Sequence, residues 1–325
     1  MAIQVTIIGL GQIGASIGMA LSKHTDKIFR VGHDKDFNVE REAQKKGAVD
    51  KSEHNLPTAV REARLVILAL PITEIRETLS FIAPDLQDGT VVIDTSPVKA
   101  QVSKWAQEFL PKSSHYVGIV PALAADFLVD TKSGLDSARP DLFSNNIFLV
   151  SAPSSTPGDA VELTSNFIRH LDATPMLTDQ LESDGFIASA HILPRLTAAA
   201  LLNATISQPG WKDIRKMTGR AYSVSTSAIE MDDEEALKMM TLQNGPNVIH
   251  ALDAMINALR DLREDIESGN EDSLMKQISA AHTGHYEWLN ERSAANWSEL
   301  QFGATSQPSA TERLLGSLLS KKVKK

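Results

Sequence analysis

The sequence contains no cysteine and carries no excess of positive charge. Without cysteine, disulfide bonds, thiolate-bound metals and a cysteine nucleophile are all excluded. Lysine and arginine number 32 against 41 acidic residues, which gives a formal net charge of −9. A nucleic-acid partner is therefore disfavoured, because phosphate binding requires a basic face.

Long apolar runs are also missing, and none approaches the roughly 20 residues needed to span a bilayer. No basic region precedes the apolar stretch within residues 1–14, as it would in a secretory signal. These absences predict a cytoplasmic protein with no membrane partner. The length of 325 residues suits two domains, and 42% hydrophobic residues suffice for a sizeable core.

In the first half, short apolar runs alternate with segments of helical pattern. The predicted strands are residues 4–8, 29–32, 65–70, 90–93, 116–120 and 147–150. The predicted helices between the earlier strands are residues 15–23, 39–46, 75–82 and 99–109. Such alternation predicts an α/β Rossmann domain, which is a doubly wound parallel sheet.

A glycine-rich turn joins the first strand to the first helix. It consists of Gly9, Leu10, Gly11, Gln12, Ile13 and Gly14. Gly9 permits the tight turn, Gly11 lets the backbone approach a pyrophosphate, and Gly14 allows close packing of helix on strand. The helix N-terminus then offers unpaired N–H groups and its positive dipole end to the phosphates. The turn thus predicts a dinucleotide site.

Asp34 lies 20 residues after the last glycine of the turn, at the end of the second predicted strand. Its carboxylate can accept hydrogen bonds from the ribose hydroxyls and repels a 2′-phosphate, so NAD is favoured over NADP. Lys35 beside it weakens that preference and leaves NADP open. Leu70 with Pro71 follows one further strand, and Thr95 follows another. They lie at strand ends where ligands of doubly wound sheets bind, although Thr95 also suits ordinary turn chemistry.

The second half has a helical period and is predicted to be all-α. The Ser- and Pro-rich segment 151–158 marks a boundary, which divides the chain into residues 1–153, residues 154–302 and a flexible tail at 303–325 with a short basic helix. The predicted helices are residues 159–171, 184–207, 245–268 and 272–292. Pro194 should kink the second of these helices.

Residues 245–268 carry an apolar stripe with heptad-like spacing. Its members are Val248, Leu252, Met255, Leu259, Leu262 and Ile266. Gly269 follows and predicts the end of the helix. Such a stripe is more often core than an oligomer seam. Because the helical domain is small and the stripe is long, we expect a homodimer formed through this domain.

The chain resembles the prephenate/arogenate dehydrogenase family over residues 5–292. The resemblance rests on IIGLGQIGASIGMAL at 7–21, LVILALP at 65–71, VIDTSPVK at 92–99, Pro121, Leu142-Phe143, Leu193-Pro194 and LQN at 242–244. It implies a Rossmann domain joined to a helical dimerisation domain, with the active site between them. It also implies an NAD(P)-dependent oxidative decarboxylation of prephenate or arogenate in tyrosine biosynthesis. In that reaction a hydride passes to NAD(P)+ and the ring carboxylate leaves as CO2.

The family's reaction needs an acceptor for the substrate hydroxyl, usually a histidine. Where the family has its catalytic histidine, directly before the proline that matches Pro121, this chain has Val120. The family's second histidine falls on Ile192, and His191 lies one residue earlier. One residue along a regular helix turns a side chain by about 100°. His191 is therefore not expected to occupy the family's position by default.

The candidates for the chemistry are neighbours of the family's residues. The catalytic candidates are His191, with His115 as the alternative acceptor, Ser96 and Lys99. The candidates for binding an anionic substrate are Arg195, Arg215 and Arg220, since arginines suit carboxylates. Each of these histidines, lysines and arginines has an alternative as an ordinary structural or surface residue. No metal is predicted, because His282 and His285 share a helix face without an acidic partner.

Two other functions stay open at this point. The first is a dehydrogenase or reductase of the same architecture that acts on another small anionic substrate. The second is a non-catalytic dinucleotide-binding protein, which the apolar Val120 and Ile192 favour.

Overall fold

The computed structural model describes residues 2–130, 132–231 and 233–297. The predicted tail at 303–325 lies outside the described residues. The strands are β1 Ile3–Ile8, β2 Ile28–His33, β3 Lys51–Ser52, β4 Ala63–Leu68, β5 Val91–Asp94, β6 His115–Pro121, β7 Ile147–Ser151 and β8 Thr174–Leu177. The helices are α1 Gln12–Ala20, α2 Phe37–Lys45, α3 Leu56–Val60, α4 Ile72–Ile82, α5 Lys99–Phe109, α6 Gly158–Arg169, α7 Gln180–Ile187, α8 Leu193–Ile206, α9 Trp211–Ile214, α10 Arg220–Thr226, α11 Glu234–Gln243, α12 Gly245–Ser268 and α13 Glu271–Ala294.

The eight strands form one sheet in the order β3-β2-β1-β4-β5-β6-β7-β8. Every neighbouring pair is parallel except β6 and β7, which run antiparallel. Ile7, Ile67 and Ile93 are completely buried at the centre of the sheet, with helices on its faces. The predicted doubly wound domain is confirmed. The two-residue strand β3 was not predicted, because it is too short and polar to show a strand pattern.

The first domain extends further than residue 153. Its last strand, β8, pairs in parallel with β7 and so completes the edge of the sheet. The first compact unit accordingly runs to Gln180 and includes the described residues from Leu289 onward, whereas Leu181–Trp288 form the second unit. Within the first unit, Nη1 of Arg292 donates to Oδ1 of Asn146 at 2.6 Å. The Ser- and Pro-rich segment is therefore a loop inside this domain.

The second unit is helical, as predicted. Its long helix α12 has the predicted bounds and ends at Gly269, whose φ of 68° is the left-handed conformation that glycine adopts without strain. The region 208–243 holds the short helices α9, α10 and α11, which lack a long apolar period and were not predicted.

The predicted helix 184–207 is longer and is interrupted. It comprises α7, a π-helical turn at Ala188–Ile192, and α8. Pro194 lies in the first turn of α8. The departure from regular helix that was expected at this proline is found just before it, as the π turn. Within Gln180–Ile206 an 18-residue window has a mean hydropathy of 1.4, so this stretch is long and apolar enough to cross a membrane, contrary to the sequence expectation. One such helix is weak evidence of a membrane span, since core helices of globular proteins meet the same criterion.

Candidate functional site

The glycine turn has the geometry of a dinucleotide-binding turn. Gly9 has a φ of +90°, and a Cβ atom there would lie 2.3 Å from the carbonyl oxygen of Ala69. A Cβ atom at Gly14 would lie 1.9 Å from the carbonyl oxygen of Gly9. At Gly11, in contrast, a Cβ atom would meet no atom within 4 Å. Gly9 and Gly14 are thus required by the fold, whereas Gly11 faces open space of the kind that a pyrophosphate needs.

Helix α1 begins directly at this open space. Its N-cap, Gly11, supplies no side chain, and the first-turn amides have no acceptor within the helix. The N–H of Leu10 donates to Oδ2 of Asp34 at 2.8 Å, and the N–H of Asp36 donates to the other carboxylate oxygen at 3.0 Å. The structure therefore brings the predicted acid against the predicted turn. These residues fit a dinucleotide with its pyrophosphate at the helix N-terminus and its ribose at Asp34.

Three other predicted cofactor residues lie at neighbouring strand ends. Cδ2 of Leu70 would lie 3.0 Å from a Cβ atom at Gly9, so Leu70 and the adjacent Pro71 border the glycine turn. The N–H of Thr95 donates to the carbonyl oxygen of Leu68 at 3.0 Å, which joins the end of β5 to the end of β4. The carboxyl ends of β1, β4 and β5 thus meet at one edge, as expected for a doubly wound sheet.

Replacement of Gly11 by alanine is expected to weaken NADH binding by at least about tenfold without lowering the melting temperature. The added methyl group meets no protein atom, yet it occupies the space assigned to the pyrophosphate. NADH fluorescence titration and thermal unfolding measure the two quantities. Gly14→Ala is the contrasting variant and should lower both, because its methyl group overlaps the backbone. Unchanged NADH affinity in Gly11→Ala would contradict the placement of the dinucleotide.

A buried ionic network lies behind the end of β5. Nζ of Lys99 is 2.5 Å from Oδ2 of Asp94, and both side chains are completely buried. The hydroxyl of Tyr116 donates to the same oxygen at 3.0 Å, and Oδ1 accepts the N–H of Ser96 at 2.7 Å. The ammonium of Lys99 is enclosed and paired with Asp94, behind the strand end that carries Ser96. Its role in the chemistry stays a prediction.

Ser96 keeps its place among the candidates. It is almost fully buried, and its Oγ has no hydrogen-bond partner among the described residues. A buried hydroxyl without a hydrogen-bond partner costs free energy. A ligand group that donates to this oxygen or accepts from it would therefore be stabilised there.

Strand β6 separates two other candidates. His115 is its first residue and Val120 is near its end, and β6 runs parallel to β5. His115 therefore lies at the opposite edge of the sheet from the glycine turn, which removes it as an acceptor. Val120 is buried and apolar at the carboxyl end, where the family places its catalytic histidine.

His191 lies in the π-helical turn and is half-buried. Burial, together with the smaller effect of the positive charge of Arg195, lowers the pKa of its imidazole to about 4. The guanidinium of Arg195 donates to the backbone carbonyl of His191. The ring is thus neutral at pH 7 and offers one nitrogen as a hydrogen-bond acceptor. Ile192, the next residue, is completely buried.

The π turn changes the angular relation of His191 to the following helix. A π turn closes with i→i+5 bonds, so it accommodates one more residue than an α turn. One residue is also the offset between His191 and the position of the family's histidine relative to Pro194. In a regular helix one residue corresponds to a rotation of about 100°, and the π turn alters that rotation at His191. The sequence pattern did not predict this turn, since a regular α-helix was assumed.

The arginines predicted to bind substrate differ in their surroundings. Arg195 lies one turn from His191, on the same helix. Arg215 and Arg220 are exposed, and neither forms an ion pair among the described residues. The nearby acid Asp213 is paired with Lys216 at 2.7 Å instead. Both exposed guanidinium groups therefore keep their charge available for an anion.

Two family models match the chain. The model described as "Prephenate dehydrogenase, nucleotide-binding domain" matches residues 17–177, and "Prephenate dehydrogenase, dimerization domain" matches residues 180–280. The junction between the two matches agrees with the division of the structure at Gln180. The glycine turn precedes the first match, so its assignment rests on geometry.

Curated relatives and solved structures agree with these matches. The chain is 25% identical over 278 residues to cyclohexadienyl dehydrogenase of Zymomonas mobilis, covering 84% of this chain and 92% of the relative. It is 23% identical to prephenate dehydrogenase of Bacillus subtilis, covering 85% and 74%. Prephenate dehydrogenase of Aquifex aeolicus, solved with hydroxyphenyl propionate and NAD+, superposes with a TM-score of 0.78 at 21% identity, covering 88% of this chain and 98% of that one.

Proposed function

We propose that this chain, which belongs to the prephenate dehydrogenase family, oxidises prephenate or arogenate with NAD+. The observation that carries the proposal is the combination of a dinucleotide turn at Gly11 with a neutral histidine, His191, one residue before the family's helical position. The matches to both family domains and the NAD+ in the Aquifex aeolicus enzyme support the same assignment.

The residues proposed for the chemistry have distinct tasks. Bound NAD+ supplies the acceptor for the hydride that leaves the hydroxyl-bearing carbon. His191 accepts the hydroxyl hydrogen at its unprotonated ring nitrogen. Arg195, Arg215 and Arg220 provide the cations for substrate carboxylates. A bound carboxylate near His191 also raises its pKa from about 4, which makes the imidazole a better base once substrate is present.

Initial rates of NAD+ reduction at 340 nm, with prephenate and separately with arogenate, test this function. We expect turnover with at least one of them. The apolar Val120, at the position of a family histidine, favours a second candidate, a dehydrogenase for another small anionic substrate. NADH binding without turnover of either substrate would reject the proposed reaction and leave that candidate.

We also propose a homodimer formed through the helical unit. The apolar stripe of α12 is buried at Val248, but 57% of Leu259 and 67% of Ile266 are exposed. The neighbouring helix α13 exposes Met275 and Ile278 as well. Apolar surface of this extent is typical of an interface. The dimerization-domain match covers α12 and most of the same surface.

The dimer is expected to have about twice the chain mass of 35.3 kDa in light scattering after size exclusion. Ile266→Arg should shift the population towards the monomer, because a buried unpaired charge opposes association. Phe81→Arg is the matched control, as Phe81 is an exposed apolar residue of α4 in the first unit. A monomeric mass for the unaltered protein would reject the homodimer. Cytoplasmic location stays a prediction.

A further inference from the structure

Two histidines and a glutamate converge beside the proposed ribose site. Nδ1 of His33 lies 3.4 Å from Oε1 of Glu40, and Nδ1 of His54 lies 3.1 Å from Oε2. One ligand atom of each residue lies within 4.8 Å of the other two. The residues come from the end of β2, from α2 and from the loop after β3. All three belong to the first unit.

The charge of Glu40 makes this cluster unusual. Its side chain is only 1% exposed, and among the described residues no lysine or arginine is paired with it. One carboxylate oxygen accepts the backbone N–H of Asp34 at 3.0 Å. A buried carboxylate without a cation costs several kcal/mol unless a positive charge compensates it. Among the described residues its side-chain oxygens contact the two imidazoles and one backbone N–H, and a metal ion held between them would supply the compensating charge.

We propose that His33, Glu40 and His54 bind a divalent transition-metal ion of the zinc class. Two imidazoles and one carboxylate are a donor set that zinc takes in proteins, whereas magnesium and calcium prefer oxygen ligands alone. Tetrahedral zinc with bonds of about 2.0–2.1 Å spaces its ligand atoms by about 3.3 Å. The separations of 3.4 and 3.1 Å from the two imidazoles to the two carboxylate oxygens are close to that spacing, and the ligand atoms of the two histidines lie within 4.8 Å of each other.

One contact competes with the metal. Nδ1 of His33 lies 3.1 Å from the carbonyl oxygen of Glu53, to which a protonated Nδ1 would donate. Metal binding requires the other tautomer, so it releases this hydrogen bond in exchange for a coordinate bond. His54 is 55% exposed and provides the entry path for the ion.

The site lies next to the cofactor-binding acid. The carboxylate of Glu40 accepts a hydrogen bond from the backbone N–H of Asp34. The carboxylate of Asp34 in turn accepts one from the N–H of Leu10 in the glycine turn. An ion bound to Glu40 would fix this chain of contacts. We therefore expect the metal to tighten dinucleotide binding, a consequence that rests on the proposed NAD site, whereas metal binding itself does not.

Direct metal binding tests the site independently of activity. Full-length protein treated with a chelator is dialysed at pH 7.5 against micromolar Zn²⁺, and bound zinc is counted by elemental analysis. We expect one zinc per chain, and at least about tenfold weaker binding in His54→Ala, since loss of even an outer-shell partner costs about 10–100-fold. His282→Ala, which removes an exposed histidine of α13, is the control and should bind as the unaltered protein does.

Two results would overturn the site: no zinc retained at about 100 μM free metal, or equal binding by His54→Ala and the unaltered protein. Glu40→Gln keeps the shape of the side chain and removes the charge, so it should also lose zinc while thermal unfolding reports whether it folds. NADH titration with and without zinc tests the coupling. If zinc raises the NADH affinity of the unaltered protein but not of His54→Ala, the coupling is supported. If zinc leaves the NADH affinity unchanged, the coupling is rejected, but the metal site is not.

Discussion

Lys99→Met is expected to destabilise the protein by about 3–5 kcal/mol, the usual cost of leaving one member of a buried ion pair without its partner. The methionine fills most of the volume of the lysine, but the buried carboxylate of Asp94 then loses its cationic partner. Tyr116 and the N–H of Ser96 remain as its hydrogen-bond donors, and neither carries a charge. Urea unfolding at a fixed protein concentration measures the difference in the free energy of unfolding.

The double variant Lys99→Met with Asp94→Asn isolates the cause. If the penalty comes from the orphaned carboxylate, the second change should recover a large part of it, since neutral replacements of both members often cost little. Lys45→Met is the control, because the pair of Lys45 with Glu42 is exposed and should contribute less than about 1 kcal/mol. A loss below 1 kcal/mol in Lys99→Met would mean that the pairing of Lys99 with Asp94 contributes little to the free energy of unfolding.

The network also explains a glycine that the sequence does not mark. A Cβ atom at Gly118 would lie 2.5 Å from Cδ of Lys99 and 2.9 Å from the hydroxyl of Tyr116. Strand β6 therefore approaches the lysine stem closely only because it has a glycine at this point. Gly118 pairs with Asp94 at the end of β5, and Val120 follows two residues later, where it pairs with Leu149 of β7. The arrangement positions one side of the proposed reaction site without touching substrate.

The cofactor half was predictable because its determinants are contiguous in sequence. A strand, a glycine turn and a helix follow one another without interruption, and each glycine has one local steric task. Asp34 follows from the same pattern, since the end of the second strand lies beside that of the first in such folds. Here the local sequence pattern and the sheet topology predict the same position for the glycine turn and for Asp34.

The reaction half was not predictable to the same degree, because its positions depend on departures from regular geometry. The π turn at Ala188–Ile192 gives no periodic signal, yet it contains His191 and alters the rotation of this residue relative to a regular helix. The burial of Lys99 depends on β6, which is a later strand. The cluster of His33, Glu40 and His54 combines three separate elements, so no spacing rule along the chain detects it.

His191→Ala is expected to lower kcat/KM by about 10²–10⁴-fold, the usual contribution of a positioned general base. The histidine is proposed to accept the substrate's hydroxyl hydrogen, and alanine leaves no acceptor in the same turn. NADH affinity should stay unchanged, because the dinucleotide residues lie in the other unit. Initial rates at 340 nm with the better substrate, together with NADH fluorescence titration, separate these two effects.

The pH dependence gives a second, independent measure of the same role. Burial lowers the pKa of His191 to about 4, and the neutral ring is the active form. Activity of the free enzyme should therefore be lost only as pH falls through about 4, and not near 6.5 as for an exposed histidine. An acidic limb near 6.5 would assign the titration to another group.

Ile192→Val is the matched control for the turn itself. It shortens a completely buried side chain next to His191 and should cost about 0.5–1.5 kcal/mol of stability while leaving the rate within about threefold. If both variants lose activity equally, the turn contributes packing and the imidazole has no chemical role. If His191→Ala alone loses activity, the imidazole has the chemical role, and the family's chemistry is retained on a displaced sequence position.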